Sequence, residues 1–256
     1  METLEDIKWV DTHCHLQLMG DEINEEDISN LEYFIIPGVD VPSSLKAKEL
    51  SITYPEKSYW SAGLHPHEAD SLEDIKNELQ VLMEEADLIG ETGLDYYYDA
   101  SSKEQQRQSF IHHLQAADVL NMPTIVHTRD AREDTIALID AHGGSAAGVL
   151  HCFTESLEMA QQAIELGYLI SISGIVTFKN SKALQDVVRA LPLEKLLVET
   201  DSPYLAPVPY RGGQNLPKYV VEVAQCVADI KGVSLDKVAE VTTDNYHRLF
   251  GRAADQ

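Results

Sequence analysis

KWVDTHCH, residues 8–15, runs a short apolar, β-rich stretch straight into two histidines one residue apart. In a β-strand, residues two apart project to the same side, so Asp11, His13 and His15 share one face while Thr12 and Cys14 share the other. Two imidazoles are thereby aimed at one point. The plain explanation is a solvated strand end with two surface histidines; the alternative is half of a metal site. The stretch also bears on the fold. A doubly wound sheet usually opens with a Gly-rich first turn, and here no G-x-G-x-x-G follows the strand.

Working outward, apolar β-rich runs occur at 8–12, 34–39 (FIIPGV), 59–64 (YWSAGL), 87–90 (DLIG), 123–126 (PTIV), 147–150 (AGVL), 168–173 (YLISIS) and 195–199 (KLLVE). Between them lie segments with helical spacing. Residues 71–86 place Leu72, Ile75, Leu79, Leu82, Met83 and Ala86 on one stripe, with Ser71 and Asp74 as a capping pair. The same reading gives helices over 104–121, 131–142, 156–166 (stopped by Gly167) and 181–191. Eight alternations of a short, continuous apolar strand with a helix predict an α/β fold, a (β/α)8 TIM barrel forming one domain over residues 1–256.

Composition narrows the classes. No stretch approaches a membrane span, and the N-terminal METLEDIKWV carries acids where a secretory leader carries bases, so a cytoplasmic protein without membrane association is expected. Three cysteines, Cys14, Cys152 and Cys226, form no C-x-x-C pair and are read as small buried hydrophobes, with Cys14 and Cys152 facing away from the neighbouring histidines. The net charge of −24 argues against a surface that grips nucleic acid along its whole extent. An anionic substrate must be drawn in locally.

In a barrel of this type the chemistry collects where the strands end. Those positions hold His13 and His15 after the first run, His65 and His67 after the third, Glu91 after the fourth, His127 and Arg129 after the fifth, His151 after the sixth and Asp201 after the eighth. Singly, each has an ordinary structural explanation, such as a hydrogen-bonded core histidine or a turn-forming aspartate before Pro203. Together they crowd ionisable groups into one mouth, which is costly unless a cation balances them. Six nitrogen and oxygen donors without thiolate suit two divalent ions, magnesium, manganese or zinc, better than one.

The motifs D-T-H-C-H, G-L-H-P-H, G-E-T-G-L-D-Y, V-H-T-R-D, H-C-F and E-T-D-S-P-Y-L, in this order, resemble those of the TatD-type metal-dependent deoxyribonucleases, a branch of the metal-dependent hydrolase barrels. The resemblance implies that His13, His15 and Asp201 hold one ion, His127 and His151 the other, and Glu91 bridges them. It further implies trimming of single-stranded DNA from the 3′ end. One departure stands out: where that family usually reads R-G-K-R-N-E-P, this chain has RGGQNLP at 211–217, which bears on phosphate affinity and substrate preference more than on the chemistry.

Two ions bridged by a carboxylate suit in-line displacement at a phosphodiester, and Glu91 and Asp201 are the expected catalytic carboxylates, Asp201 as the proton acceptor. His65, Arg129 and Arg211 are expected to bind substrate, with Lys179 a further candidate; of Tyr96, Tyr97 and Tyr98, some would stack a nucleobase and at least one would pack against the rim. The closest rival is a barrel hydrolase acting on an ester or C–N bond. Cyclic amidases of that kind commonly bridge their ions with a modified lysine after the fourth strand, where this chain has Glu91. A silent nucleic-acid-binding scaffold would be expected to have lost a ligand, and none is lost.

Overall fold

The structure is a computed structural model that describes residues 7–20, 23–98 and 100–250. The first six residues of the acidic N-terminal stretch lie outside the described residues. Eight parallel strands pair in chain order: β1 (Trp9–Asp11), β2 (Leu31–Pro37), β3 (Ser58–Ala62), β4 (Leu88–Asp95), β5 (Thr124–Arg129), β6 (Gly148–Leu150), β7 (Tyr168–Ile172) and β8 (Leu196–Val198). The ring is completed by residues just beyond the first and last strands. Thr12 N donates to Val198 O (3.2 Å), Asp201 N to His13 O (2.8 Å) and His15 N to Ser202 O (2.8 Å), and Cys14 bridges Ser202 in parallel sense. The fold is a (β/α)8 barrel, and its closure is made by the segments that carry the candidate ligands.

Helices cover the outside: α1 (Val41–Thr53), α2 (Leu72–Glu85), α3 (Lys103–Leu120), α4 (Arg132–His142), α5 (Leu157–Glu165), α6 (Lys182–Ala190), α7 (Val220–Lys231) and α8 (Leu235–Phe250). Local chemistry sets several of their starts. Asp40 with Ser43 and Ser102 with Gln105 form reciprocal capping boxes on α1 and α3, and the Ser156 hydroxyl accepts from Met159 N at the start of α5. The expected cap of α2 is absent. Ser71 ends a 3-10 turn, Pro66–Ser71, and its hydroxyl donates to Glu68 O instead of accepting from the helix. No helix among the described residues is long and apolar enough to cross a membrane.

The buried apolar residues form two layers. The larger lies between strands and helices and includes Phe34, Ile36, Leu79, Phe110 and Val223. The smaller gathers Val10, Ile35, Leu88, Ile125, Val149, Leu169 and Leu197 from the strands, with Tyr246 and Leu249 of α8 packed among them. Because strand side chains alternate, the residues two beyond Ile125, Val149 and Leu197 share the faces of these core residues, and they are His127, His151 and Glu199. An apolar floor thus gives way, one step along the strands, to a polar mouth.

Candidate metal centre

Glu91 lies at the centre of the mouth, 3% exposed, on a strand with every residue buried. Its two oxygens face different partners. Oε2 lies 3.3 Å from His13 Nε2 and 3.7 Å from His15 Nε2; Asp201 Oδ1 lies 3.8 and 3.5 Å from the same two nitrogens. Oε1 lies 2.9 Å from His151 Nε2, 3.4 Å from His127 Nδ1 and 3.5 Å from His65 Nε2. All six expected ligands therefore meet, divided by one carboxylate into two sets. Three overlapping triads, His13–His15–Glu91, His13–His151–Asp201 and His65–Glu91–His127, bring donor atoms within 4.8 Å of one another and could hold metal ions.

The donors fit divalent cations. His13 and His15 point their Nε2 atoms at each other across 3.1 Å, an arrangement that a shared cation would satisfy better than a hydrogen bond between two imidazoles. Outer carboxylates hold the other rings. Asp95 Oδ2 is 3.4 Å from His127 Nε2, and Glu199 Oε1 is 3.5 Å from His151 Nδ1, so with a cation bound between the rings each far nitrogen would carry the hydrogen and leave the near one free to ligate. His65 is oriented the other way. Its Nδ1 accepts from His67 N (3.2 Å), so its Nε2 carries a hydrogen and donates toward Glu91, which suits a substrate contact better than a ligand.

Backbone supports complete the site. Asp11 does not face the cluster as a ligand: its carboxylate accepts from His13 N, Thr200 N and the Thr200 hydroxyl, pinning the residue before Asp201. Asn215, from the RGGQNLP segment, donates to Thr200 O (2.7 Å) and Tyr204 O (2.6 Å), clasping the Asp201 loop on both sides. Asp201 itself has a left-handed backbone, φ 58°, and such a conformation needs this support. Sequence reasoning passed over Asp95 and Glu199 as orienting groups.

Electrostatics follow from crowding. Burial alone would raise the Glu91 carboxyl, but His151, His127 and His13 hold it well below the usual carboxylate range; His15 and His13 do the same, less strongly, for Asp201. Burial pushes the His65 imidazole down to about 3, so it is neutral near pH 7. Against the same burial, the carboxylates around His127 and His151 keep both of those imidazoles raised.

Above the cluster opens a cavity of about 650 Å³ lined by His15, His65, Arg129 and Asp201 among others. Arg129 packs its guanidinium 3.9 Å from the Tyr97 ring centre. Arg211 is exposed, stands 3.6 Å over Phe178 and is not among the residues lining this cavity; Lys179 is exposed as well. Tyr96 is the packing member of its run, its hydroxyl donating to Asp134 (2.6 Å), whereas Tyr97 and Tyr98 are exposed. The cysteines are unpaired. Cys14 is buried as expected, but Cys152 follows β6 with φ 44°, so strand alternation does not govern it, and it borders the cavity with its Sγ 3.2 Å from the Ser173 hydroxyl.

A (β/α)8 barrel that gathers imidazoles and carboxylates at the C-terminal ends of its strands has the build of the metal-dependent barrel hydrolases. The family described as TatD related DNase matches residues 10–251, and the chain belongs to this TatD family of metal-dependent hydrolases. It is 43% identical over 252 residues to the uncharacterized metal-dependent hydrolase YcfH of Escherichia coli K12, covering 94% of this chain and 95% of that one. It is 36% identical to YabD of Bacillus subtilis, also described as an uncharacterized metal-dependent hydrolase, covering 94% and 98%. Among solved structures it is similar to YjjV, a TatD homologue of Escherichia coli K12, with a TM-score of 0.87 at 26% identity over 95% of this chain and 98% of that one.

Proposed function

We propose that the protein is a two-metal phosphodiesterase that trims single-stranded DNA from the 3′ end. The division of donors by Glu91 carries the reading: one oxygen faces His13 and His15, with Asp201 beside them, and the other faces His127 and His151. Two divalent ions bound there would supply water activation and neutralise the entering and leaving oxygens of an in-line displacement. Asp201, partly open to the cavity, accepts the proton of the attacking water at its carboxylate. His65, neutral and with Nε2 as its donor, hydrogen-bonds a phosphoryl oxygen, and Arg129 supplies the nearest fixed positive charge. The choice of DNA and of the 3′ end rests on the family's description and motifs.

Metal-loaded protein is incubated with single-stranded DNA labelled at either end, single-stranded RNA, and bis(p-nitrophenyl) phosphate. Release of a 3′ label before a 5′ label is the expected result. Glu91→Gln leaves the fold intact by circular dichroism and lowers turnover about 100-fold or more; full activity in this variant would sink the mechanism. Elemental analysis after reloading gives two ions per chain in the wild type, and fewer in both His13→Ala and His151→Ala. Unchanged stoichiometry in both variants contradicts the two-ion arrangement.

A further inference from the structure

Three of the large apolar side chains left exposed, Leu18, Tyr98 and Tyr204, line the same cavity. The two tyrosines stand at opposite ends of one continuous series of contacts through the metal centre. On one side Tyr98 lies edge-to-face on His67 (5.3 Å between ring centres), His67 on His65 (4.4 Å), and His65 Nε2 is 3.5 Å from Glu91 Oε1. On the other, Glu91 Oε2 is 3.7 Å from His15 Nε2, and the His15 ring is 6.1 Å from that of Tyr204. The two rings are thus linked to the central carboxylate through different oxygens, Tyr98 by way of His67 and His65 to Oε1 and Tyr204 by way of His15 to Oε2.

Neither tyrosine is exposed by accident of a loose loop. Tyr98 N and Tyr97 N both donate to Asp95 Oδ1 (3.2 and 3.0 Å), and the Arg129 guanidinium braces both rings at 3.9 Å (Tyr97) and 5.0 Å (Tyr98). Tyr204 N donates to Asp201 O, and Tyr204 O accepts from the buried Asn215. Tyr98 and Tyr204 are nevertheless 48% and 54% exposed, so two held rings present open area over an apolar-edged cavity that contains one arginine. Preorganised aromatic area beside a polar centre suits a flat, unpaired nucleobase.

We infer that Tyr98 and Tyr204 form two nucleobase platforms, stacking the unpaired bases on either side of the scissile phosphate of a single-stranded nucleic acid. The inference rests on the phosphodiesterase reading and deepens it. It makes base-bearing strands, rather than phosphodiesters in general, the preferred ligand, and it requires a paired end to fray before it can bind. The Arg129 guanidinium, held against Tyr97 and Tyr98, then lies beside the strand on the Tyr98 side.

The test is equilibrium binding of phosphorothioate hexamers to the full-length protein, metal-loaded and chelator-treated in parallel. One hexamer carries bases, including a 2-aminopurine, and the other is abasic with the same number of linkages. The base-bearing strand is expected to bind about 5- to 150-fold tighter per stacked base, the fold-change equivalent of about 1–3 kcal/mol. Its 2-aminopurine fluorescence is quenched on binding. Tyr98→Leu and Tyr204→Leu each lose affinity for the base-bearing strand, and both losses are restored by the corresponding Phe variants, while affinity for the abasic strand is unchanged. Equal binding of the two strands, or Leu variants that fold and keep full affinity and quenching, overturns the inference. Hydrolysis of bis(p-nitrophenyl) phosphate by the wild type separates the two readings: turnover without base preference removes the platforms and leaves the phosphodiesterase standing.

Discussion

One carboxylate oxygen, Asp95 Oδ2, lies 2.9 Å from His67 Nε2 and 3.4 Å from His127 Nε2, while the other accepts from Tyr97 N and Tyr98 N. Burial acts to raise this carboxyl, but hydrogen bonds from His127 and His67 more than offset it and hold Asp95 ionised far below the ordinary range. A negative charge on the far side of His127 fixes the ring's tautomer and makes its inner nitrogen a better donor. Asp95→Asn is accordingly expected to weaken metal affinity about 10- to 100-fold, read by competition with a chromophoric chelator; unchanged affinity would mean the ring needs no such partner. The candidate ligands were legible because each is an ionisable residue placed within a few residues of the end of an apolar run. Asp95 was not, because β4 continues to residue 95 while the apolar run stops at 90, so the carboxylate read as part of a loop. Glu199 was hidden differently, as one of two acids in E-T-D, of which only Asp201 faces the opening.

At the scale of elements, β4 approaches β5 more closely than side chains permit. Gly93 has φ 132°, and a Cβ there would land on the His127 carbonyl oxygen. Gly93→Ala is expected to cost about 1–3 kcal/mol, seen as a lower urea midpoint at unchanged slope, and to displace the strand carrying His127. A midpoint equal to that of the wild type would show that the two strands have room to part. α3 supports the site from behind through His113, whose Nε2 accepts from Leu64 N (3.0 Å) and whose Nδ1 donates to Ser109 O (2.7 Å). Burial pushes this imidazole down to about 3, against about 6.5 when unfolded. Because the unfolded chain takes up the proton first, stability from this group is present above about pH 6.5 and is lost progressively as pH falls toward 3. The loss amounts to about 1.4 kcal/mol at pH 5.5, and this part of the slope should vanish in His113→Gln. If the two proteins keep parallel stability profiles between pH 7.5 and 5.5, the buried imidazole is not the cause. Helices with a clear stripe, such as α2, were legible to within a residue or two. α1 and α7 were not: α1 turns only Val41, Ser44 and Ala47 fully inward and so shows little of the contrast on which periodicity depends, whereas α7 does carry a stripe, with Val220, Val223, Ala224, Val227 and Ala228 inward and Glu222, Gln225 and Asp229 on another face, and was passed over.

For the molecule as a whole, the eight strands were legible because parallel strands buried on both faces are short and continuously apolar. Closure of the ring was not, since it is made by residues 12–15 and 198–202, the polar segments that also carry His13, His15 and Asp201. For the proposed anionic substrate, a molecule of net charge −24 offers attraction only locally: Arg129 is the one lysine or arginine among the described residues lining the cavity. The proposed single-stranded substrate would therefore make few phosphate contacts. With about two or three of them, and roughly −0.7 per contact for single strands, the slope of log K against log salt should be only about −1.4 to −2.1. Arg129→Ala is expected to weaken binding and flatten that slope by about 0.7. Arg211→Ala, which removes a guanidinium resting on Phe178 outside the cavity, should change it less. Such a mouth admits a free end more readily than the middle of a strand, so a closed circular single strand should be cut far more slowly than the same sequence made linear. A slope several units steeper, together with equal cutting of circle and line, would mean that the strand is gripped along the acidic surface and not at the barrel mouth.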